Sequence, residues 1–214
     1  SSAQFYGVDE DRKLYSDHLF QGGGQGASAA GDGKSALLYP TSAANTSVEM
    51  FEARVPALVL RKELVIDSGG AGKFRGGLGQ VVSARKLKGD KNSCQIGIFP
   101  NGIHSEVEGL FGGKSGGHSR GIIHRADDVQ HDVGTGELTA IQEMTEVAEL
   151  YIAGGSGYGD PLTRDYEYVQ NDLIQGYISY ECAERVYGCI FKEDRTIDVV
   201  ASDTLRKSMK DAAS

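Results

Sequence analysis

As far as residue 153, short apolar runs alternate along the chain with turn formers. Runs at 36–39, 57–60, 63–66, 80–84, 94–99, 121–124, 137–141 and 146–152 predict strands. Several alternate apolar and polar residues, as expected where one face of a strand is buried and the other is wet. One segment departs from this texture: 45–54 predicts a short helix capped by Asn45 or Thr46. Pro56 disfavours helical geometry at Val55, so that helix should end there.

Beyond residue 160 the period changes. Asp160-Pro161 opens a turn, after which Tyr168, Val169, Asp172, Leu173 and Tyr177 follow helical spacing. A second helix is expected from Ser179 to a glycine stop at Gly188. A hairpin of 189–191 with 196–200, and a last helix capped by Ser202 and running through Met209, complete the pattern. The expected class is α+β. A β-rich body of mainly antiparallel strands with glycine-rich loops (1–159) carries a small helical C-terminal appendage (160–214), packed on it as one structural unit.

Composition alters this picture in one respect. Glycine supplies 30 of 214 residues, about twice its usual share of about 7%. The glycines cluster at 22–33, 69–79, 112–117, 134–136 and 154–159, without a fixed period. Such clusters mark tight turns or close backbone approach. The densest, DSGGAGKFRGGLGQ at 67–80, invites a phosphate-loop reading, but Asp67 stands where the first glycine belongs and Phe74 where Ser or Thr belongs. It joins two strand-like runs rather than opening a helix, so Gly69, Gly70, Gly72, Gly76, Gly77 and Gly79 are structural. Lys73 and Arg75 remain its candidates for an anion or a partner surface. In the same way Gly154, Gly155, Gly157 and Gly159 surround Ser156 without the second glycine of a nucleophile elbow, because Tyr158 stands there. They predict a tight turn.

The formal charge is −8, from 22 basic and 30 acidic residues, and no basic block appears. Nucleic acid is therefore an unexpected partner. No apolar run reaches membrane-spanning length and no signal peptide is recognised, so no membrane association is expected. Cys94, Cys182 and Cys189 are three in number, without metal spacing, and fit reduced thiols and a cytoplasmic setting. His118 and His124 would share a face on one continuous strand, near Asp127, Asp128 and Asp132, as weak candidates for a metal. Tight ligand spacing is missing, so no metal is expected in this chain.

Five ordered stretches add up to a resemblance. They are 22–26 (GGGQG) with Asp32-Gly33; 40–49 (PTSAANTSVE); 67–72 (DSGGAG) with 75–79 (RGGLG); 131–136 (HDVGTG); and 154–161 (GGSGYGDP). Each is a plain glycine pattern, but their order and spacing resemble the C-terminal half of the hydantoinase B family, the B-type subunit of hydantoinase and oxoprolinase enzymes, related to subunits of acetone and acetophenone carboxylases.

The resemblance implies a cytoplasmic hetero-oligomer in which an ATP-binding, kinase-like A-type subunit activates the substrate. The B-type subunit then supports hydrolysis of a cyclic amide (hydantoin, oxoproline or lactam) or, alternatively, carboxylation of a ketone. A non-catalytic assembly scaffold is a further alternative. ATP and a divalent metal are implied for the assembly, with no cofactor bound by this chain alone. Family members are commonly more than twice this length and carry an Asn-Asp-Pro-Tyr motif, whereas this chain has Asn171-Asp172-Leu173. The resemblance therefore implies a fragment or split subunit, inactive alone, whose partners include an N-terminal B-type segment or subunit. Its catalytic residues are not assigned. Asn45, Thr46, Glu49, Asp67 and Ser68 are the candidates for lining a shared substrate cleft.

Overall fold

The computed structural model describes residues 2–38, 44–88, 94–99 and 102–212. Its strands are β1 (Ser2–Val8), β2 (Leu14–Phe20), β3 (Ala57–Leu64), β4 (Gln80–Lys86), β5 (Cys94–Phe99), β6 (Arg120–His124), β7 (Gln130–Val133), β8 (Leu138–Ala140) and β9 (Val147–Ile152). They form two sheets with antiparallel ladders: a four-stranded one in the order β2-β1-β5-β8 and a five-stranded one in the order β3-β4-β9-β6-β7.

Alternation along the strands is what lets the sheets share a core. In β9 every second residue (Ala148, Leu150, Ile152) is buried. These side chains meet Val82, Ala84 and Ile123 of their own sheet, and Phe5, Leu19, Ile96 and Ile98 of the other. Each fully buried Ile, Leu or Phe contributes about 1.5–3 kcal/mol relative to exposure. Phe51 of α1 (Val48–Glu52) and Val55 join the same core. A second core holds the appendage: Val169 of α2 (Tyr166–Ile174), Ile178, Ala183 of α3 (Tyr180–Arg185), Tyr187, Cys189 and Ile197, closed by Ala71 from the glycine-rich segment. The last helix is α4 (Val199–Ala212).

Several expectations change. The runs 57–60 and 63–66 merge into β3, which bulges between Val59 and Arg61. The extra residue reverses the inside–outside alternation, so one strand reads as two. The run 36–39 is not a strand: Ala36 has φ +48, Leu37 makes a single bridge to Gly23, and residue 39 lies outside the described residues. Strands β1, β2 and β7 went unpredicted. The last is a polar edge strand (QHDV) with one buried residue, so it carries little apolar signal.

Helix starts shift as well. The cap of α1 is Ser47, whose Oγ accepts from the Met50 N–H, rather than Asn45 or Thr46. Of the expected second half of the hairpin, 199–200 belong to α4, and what remains is a short turn with one bridge between Phe191 and Ile197. Asp198 Oδ1 accepts from the Ala201 N–H at 3.0 Å and starts α4. Ser202 is buried inside that helix, its Oγ accepting from the Ile190 N–H at 2.8 Å. Ser179 does cap α3 and Gly188 takes the left-handed conformation at φ +62, as expected, while Asp165, for which no capping role was expected, caps α2.

Candidate functional site

The glycine segments converge between the two cores. One series of backbone hydrogen bonds runs across them from the Gly70 N–H to Gly155 O, the Gly155 N–H to Gly77 O, and the Gly77 N–H to Gln25 O, each 2.8 Å. The Gln25 N–H then reaches Lys34 O at 2.9 Å, while Lys114 bridges Ala71 O (2.7 Å) and the Gly157 N–H (2.8 Å). Close approach, not left-handed geometry, makes glycine necessary here. Among Gly69, Gly70, Gly72, Gly76, Gly77, Gly79, Gly154, Gly155, Gly157 and Gly159, Gly159 alone has positive φ, at +77. On each of the others a Cβ would lie under 3.0 Å from a neighbouring backbone atom.

A charge network, buried except at Asp32, ties this lattice to the appendage. Arg164 Nη1 and Nη2 each donate to one oxygen of Asp32 at 2.8 Å, and Nη2 also donates to Asp172 Oδ2 at 2.7 Å. Arg75 Nε reaches the same Asp172 oxygen at 3.2 Å. The Arg75 N–H donates to Asp32 Oδ1 at 2.7 Å. Burial alone would raise the Asp32 carboxyl, but the hydrogen bonds and charge of Arg164, helped by Arg75, outweigh it and hold the group below the usual carboxylate range. Arg206 continues the network, donating from Nε to Tyr187 O and from Nη1 to Arg164 O, each at 2.8 Å.

Two open depressions share Gly116, Gly117, Ile152 and Ala153 in their linings. One, of about 560 Å³, is lined by Gln21, Ser105, Ser119 and Ser156 among backbone from the glycine segments. The other, of about 550 Å³, collects Asp67, Ser68, His118, Arg120 and Tyr151. The adjacent cleft candidates Asp67 and Ser68 are thus brought together with His118, singled out separately as a weak metal candidate. Their polar atoms already have partners: Asp67 Oδ1 accepts from the Ser179 N–H at 2.7 Å, Ser68 Oγ accepts from the Gly79 N–H at 2.9 Å, and His118 Nε2 lies 3.0 Å from Glu106.

Asn45, Thr46 and Glu49 are not among the residues lining this depression. Asn45 accepts from the Gly22 N–H and donates to Ala36 O, and Thr46 Oγ1 holds the end of β2 through His18 O and the Phe20 N–H. Glu49 is exposed on α1 and accepts from Ser47 Oγ. His124 lies on β6, 3.6 Å from Glu149. Among the described residues no group of three or more His, Cys, Asp or Glu side chains could hold a metal ion. Ser156 Oγ donates to Val107 O at 2.6 Å.

The sequence pattern that defines the hydantoinase B/oxoprolinase family matches residues 1–161. The chain belongs to this family. It is 30% identical to the caprolactamase beta subunit of Pseudomonas jessenii over 162 residues, covering 74% of this chain and 27% of that one. It is also 30% identical to the acetophenone carboxylase delta subunit of Aromatoleum aromaticum, covering 88% of this chain and 32% of that one. The nucleotide-free structure of acetone carboxylase superposes on 99% of this chain and 33% of its own, with a TM-score of 0.83 at 22% identity, which shows the shared fold. The chain thus spans about a third or less of the length of the curated relatives it matches.

In this hydantoinase B-type chain, reasoning from sequence overlooked the Arg164–Asp172 pair. The signal was present: Asp172 stands three residues after Val169, on the same buried face of α2. A carboxylate there requires a buried cation. Arg75, considered as an anion binder, is taken up by Asp172, and Lys73 lies over the Phe74 ring.

The cysteines are free, and burial raises all three thiols; Cys182, also beside Asp67, is pushed up to about 12. Since the thiolate is the reactive form, a disulfide reagent at pH 8 should modify none of them in the native protein and all three in denaturant. Rapid native labelling of Cys182 would contradict this environment.

Proposed function

We propose that this chain is part of the B-type subunit of an ATP-dependent enzyme that hydrolyses cyclic amides of the hydantoin, oxoproline or lactam kind. A kinase-like A-type partner would activate the ring, and the rest of a B-type polypeptide would complete the cavity. The observation that carries this reading is the glycine lattice. It gathers family motifs distant in sequence into one interlocked block, with Asp67, Ser68, His118, Arg120 and Tyr151 along one depression. Such a block suits a rigid wall against which a substrate or a partner is positioned. The identity to the caprolactamase beta subunit supports the cyclic-amide class.

On this reading ATP and a divalent metal act in the assembly rather than on this chain alone. No helix of the described residues is long and apolar enough to cross a membrane. A cytoplasmic location is part of the proposal.

The test is turnover by the chain assembled with its partners, given caprolactam, 5-oxoproline or hydantoin with ATP and Mg²⁺. Ring-opened product that depends strictly on ATP, and no product from the chain alone, is the expected result. Hydrolysis by the chain alone without ATP would defeat the subunit reading. The second reading, a ketone carboxylase subunit, is favoured by the acetophenone carboxylase match over 88% of the chain. Bicarbonate-dependent consumption of acetone or acetophenone, with the cyclic amides untouched, would select it.

A further inference from the structure

The outward faces of the two sheets differ in chemistry. On the five-stranded sheet, Arg61 bonds Tyr151 and Glu149, Arg120 stacks on the Tyr151 ring, and His124 lies beside Glu149. That face is charged and suits water. The four strands of the other sheet contain one Asp, Glu, Lys or Arg, namely Asp17, and it is paired with Arg54. In the whole chain 24% of residues are charged. Gln4, Tyr6, Val8, Leu14, Ser16, Gln95, Phe99 and Leu138 instead line an open groove of about 920 Å³. Leu14 is 80% exposed, Leu138 58% and Phe99 39%.

A contiguous apolar surface of this kind marks an interface. Relatives that match this chain extend well beyond it, since the chain covers 27% of the caprolactamase beta subunit. The superposed acetone carboxylase chain is likewise only 33% covered. Most of a B-type polypeptide therefore lies outside this block and must pack somewhere on it.

Resting on the B-type subunit reading above, we propose that the outer face of the β2-β1-β5-β8 sheet is the docking surface for the remainder of a B-type polypeptide. Val8, Leu14, Phe99 and Leu138 are its apolar contacts. The groove beside Gly97 receives an apolar side chain of the partner. A Cβ at Gly97 would crowd Leu138 and Phe99, so glycine keeps that groove open.

The test needs no turnover, so its failure is distinct from failure of the functional reading. The full chain is co-expressed with the portion of the Pseudomonas jessenii caprolactamase beta subunit outside the matched region, and the pair is examined by light scattering and hydrogen exchange. A one-to-one complex with slowed exchange in β1, β2, β5 and β8 is expected. L14E combined with L138E should weaken it at least about tenfold, as truncating central apolar contacts does. The thermal midpoint of that doubly substituted chain should stay unchanged, because both positions are exposed. R85E, on an exposed position of the other sheet, should leave the complex intact. Absence of a complex with the unsubstituted chain, a complex indifferent to L14E/L138E, or self-association through this face in place of the complex would each overturn the assignment.

Discussion

Replacing Gly24 by alanine should abolish stable folding, whereas the same change two residues on, at Gly26, should pass almost unnoticed. A Cβ at Gly24 would lie under 3.0 Å from Gly77 O and Gly155 N, both of them backbone atoms in the hydrogen-bonded lattice. Side chains can rotate away from an intruding methyl, but these atoms cannot move without breaking bonds on either side. Overpacking ordinarily costs about 1–3 kcal/mol, and a clash with fixed backbone should exceed that, at roughly 4 kcal/mol or more. Such a loss is a large part of a domain's total of about 5–15 kcal/mol. At Gly26 the nearest atom to a Cβ would be Ser156 O, 3.8 Å away, an ordinary contact, and its φ is not in the left-handed region. There, reduced freedom of the unfolded chain should hold the net effect within about 1 kcal/mol of zero. Urea denaturation of the two variants checks the contrast. Equal midpoints would mean that the lattice is looser than its hydrogen bonds indicate.

The second large effect is expected at Asp172. Its side chain is 3% exposed and receives both Arg75 and Arg164, whose side chains are 4% and 0% exposed. Asp172→Ala leaves two guanidinium groups buried with half their compensation gone. Removing one partner of a buried ion pair costs about 3–5 kcal/mol, because the remaining charge stays desolvated. Arg164 keeps the Asp32 carboxylate, so the loss should fall within that range rather than above it. Asp172→Asn keeps an oxygen acceptor and the volume, and should lose less. The damage should centre on the joint between appendage and glycine lattice, with protease cleavage appearing between residues 160 and 212 before the sheets open. Stability of the Ala variant within about 1 kcal/mol of the parent would show that the network contributes little.

Much of the β body was legible because buried strands leave short apolar runs bounded by turn formers, continuous in β4 and β6 and alternating in β9. The sequences of β4, β5, β6 and β9 were read at nearly their observed positions. Helical spacing located α2, and Ser179 located α3 for an equally local reason, since its hydroxyl accepts from an N–H three residues ahead. Reading failed where the pattern was interrupted or weak. The β3 bulge split one strand into two, and β7 offers mostly polar residues to an exposed edge. The Ser202 error has a different cause. A serine before a helical stretch looks like a cap, but the stronger capping residue, Asp198, stands a turn earlier.

The candidate cleft residues show the same division. Asp67 and Ser68 are neighbours in the chain and His118 lies some fifty residues on, so only folding puts the histidine around the same depression. Their hydrogen bonds also hold the turn and the start of α3, a duty no spacing reveals. Sequence by itself determined the class, the family motifs and the abundance of glycine, because local period and composition act within a few residues. Tertiary structure alone decided why those glycines are needed. Nine of the ten in the central loops have no left-handed backbone to require them; each faces a neighbouring backbone atom less than one side chain away. It also decided that Asp32, Arg75, Arg164 and Asp172 neutralise one another, since charges up to 132 residues apart meet only when the chain closes.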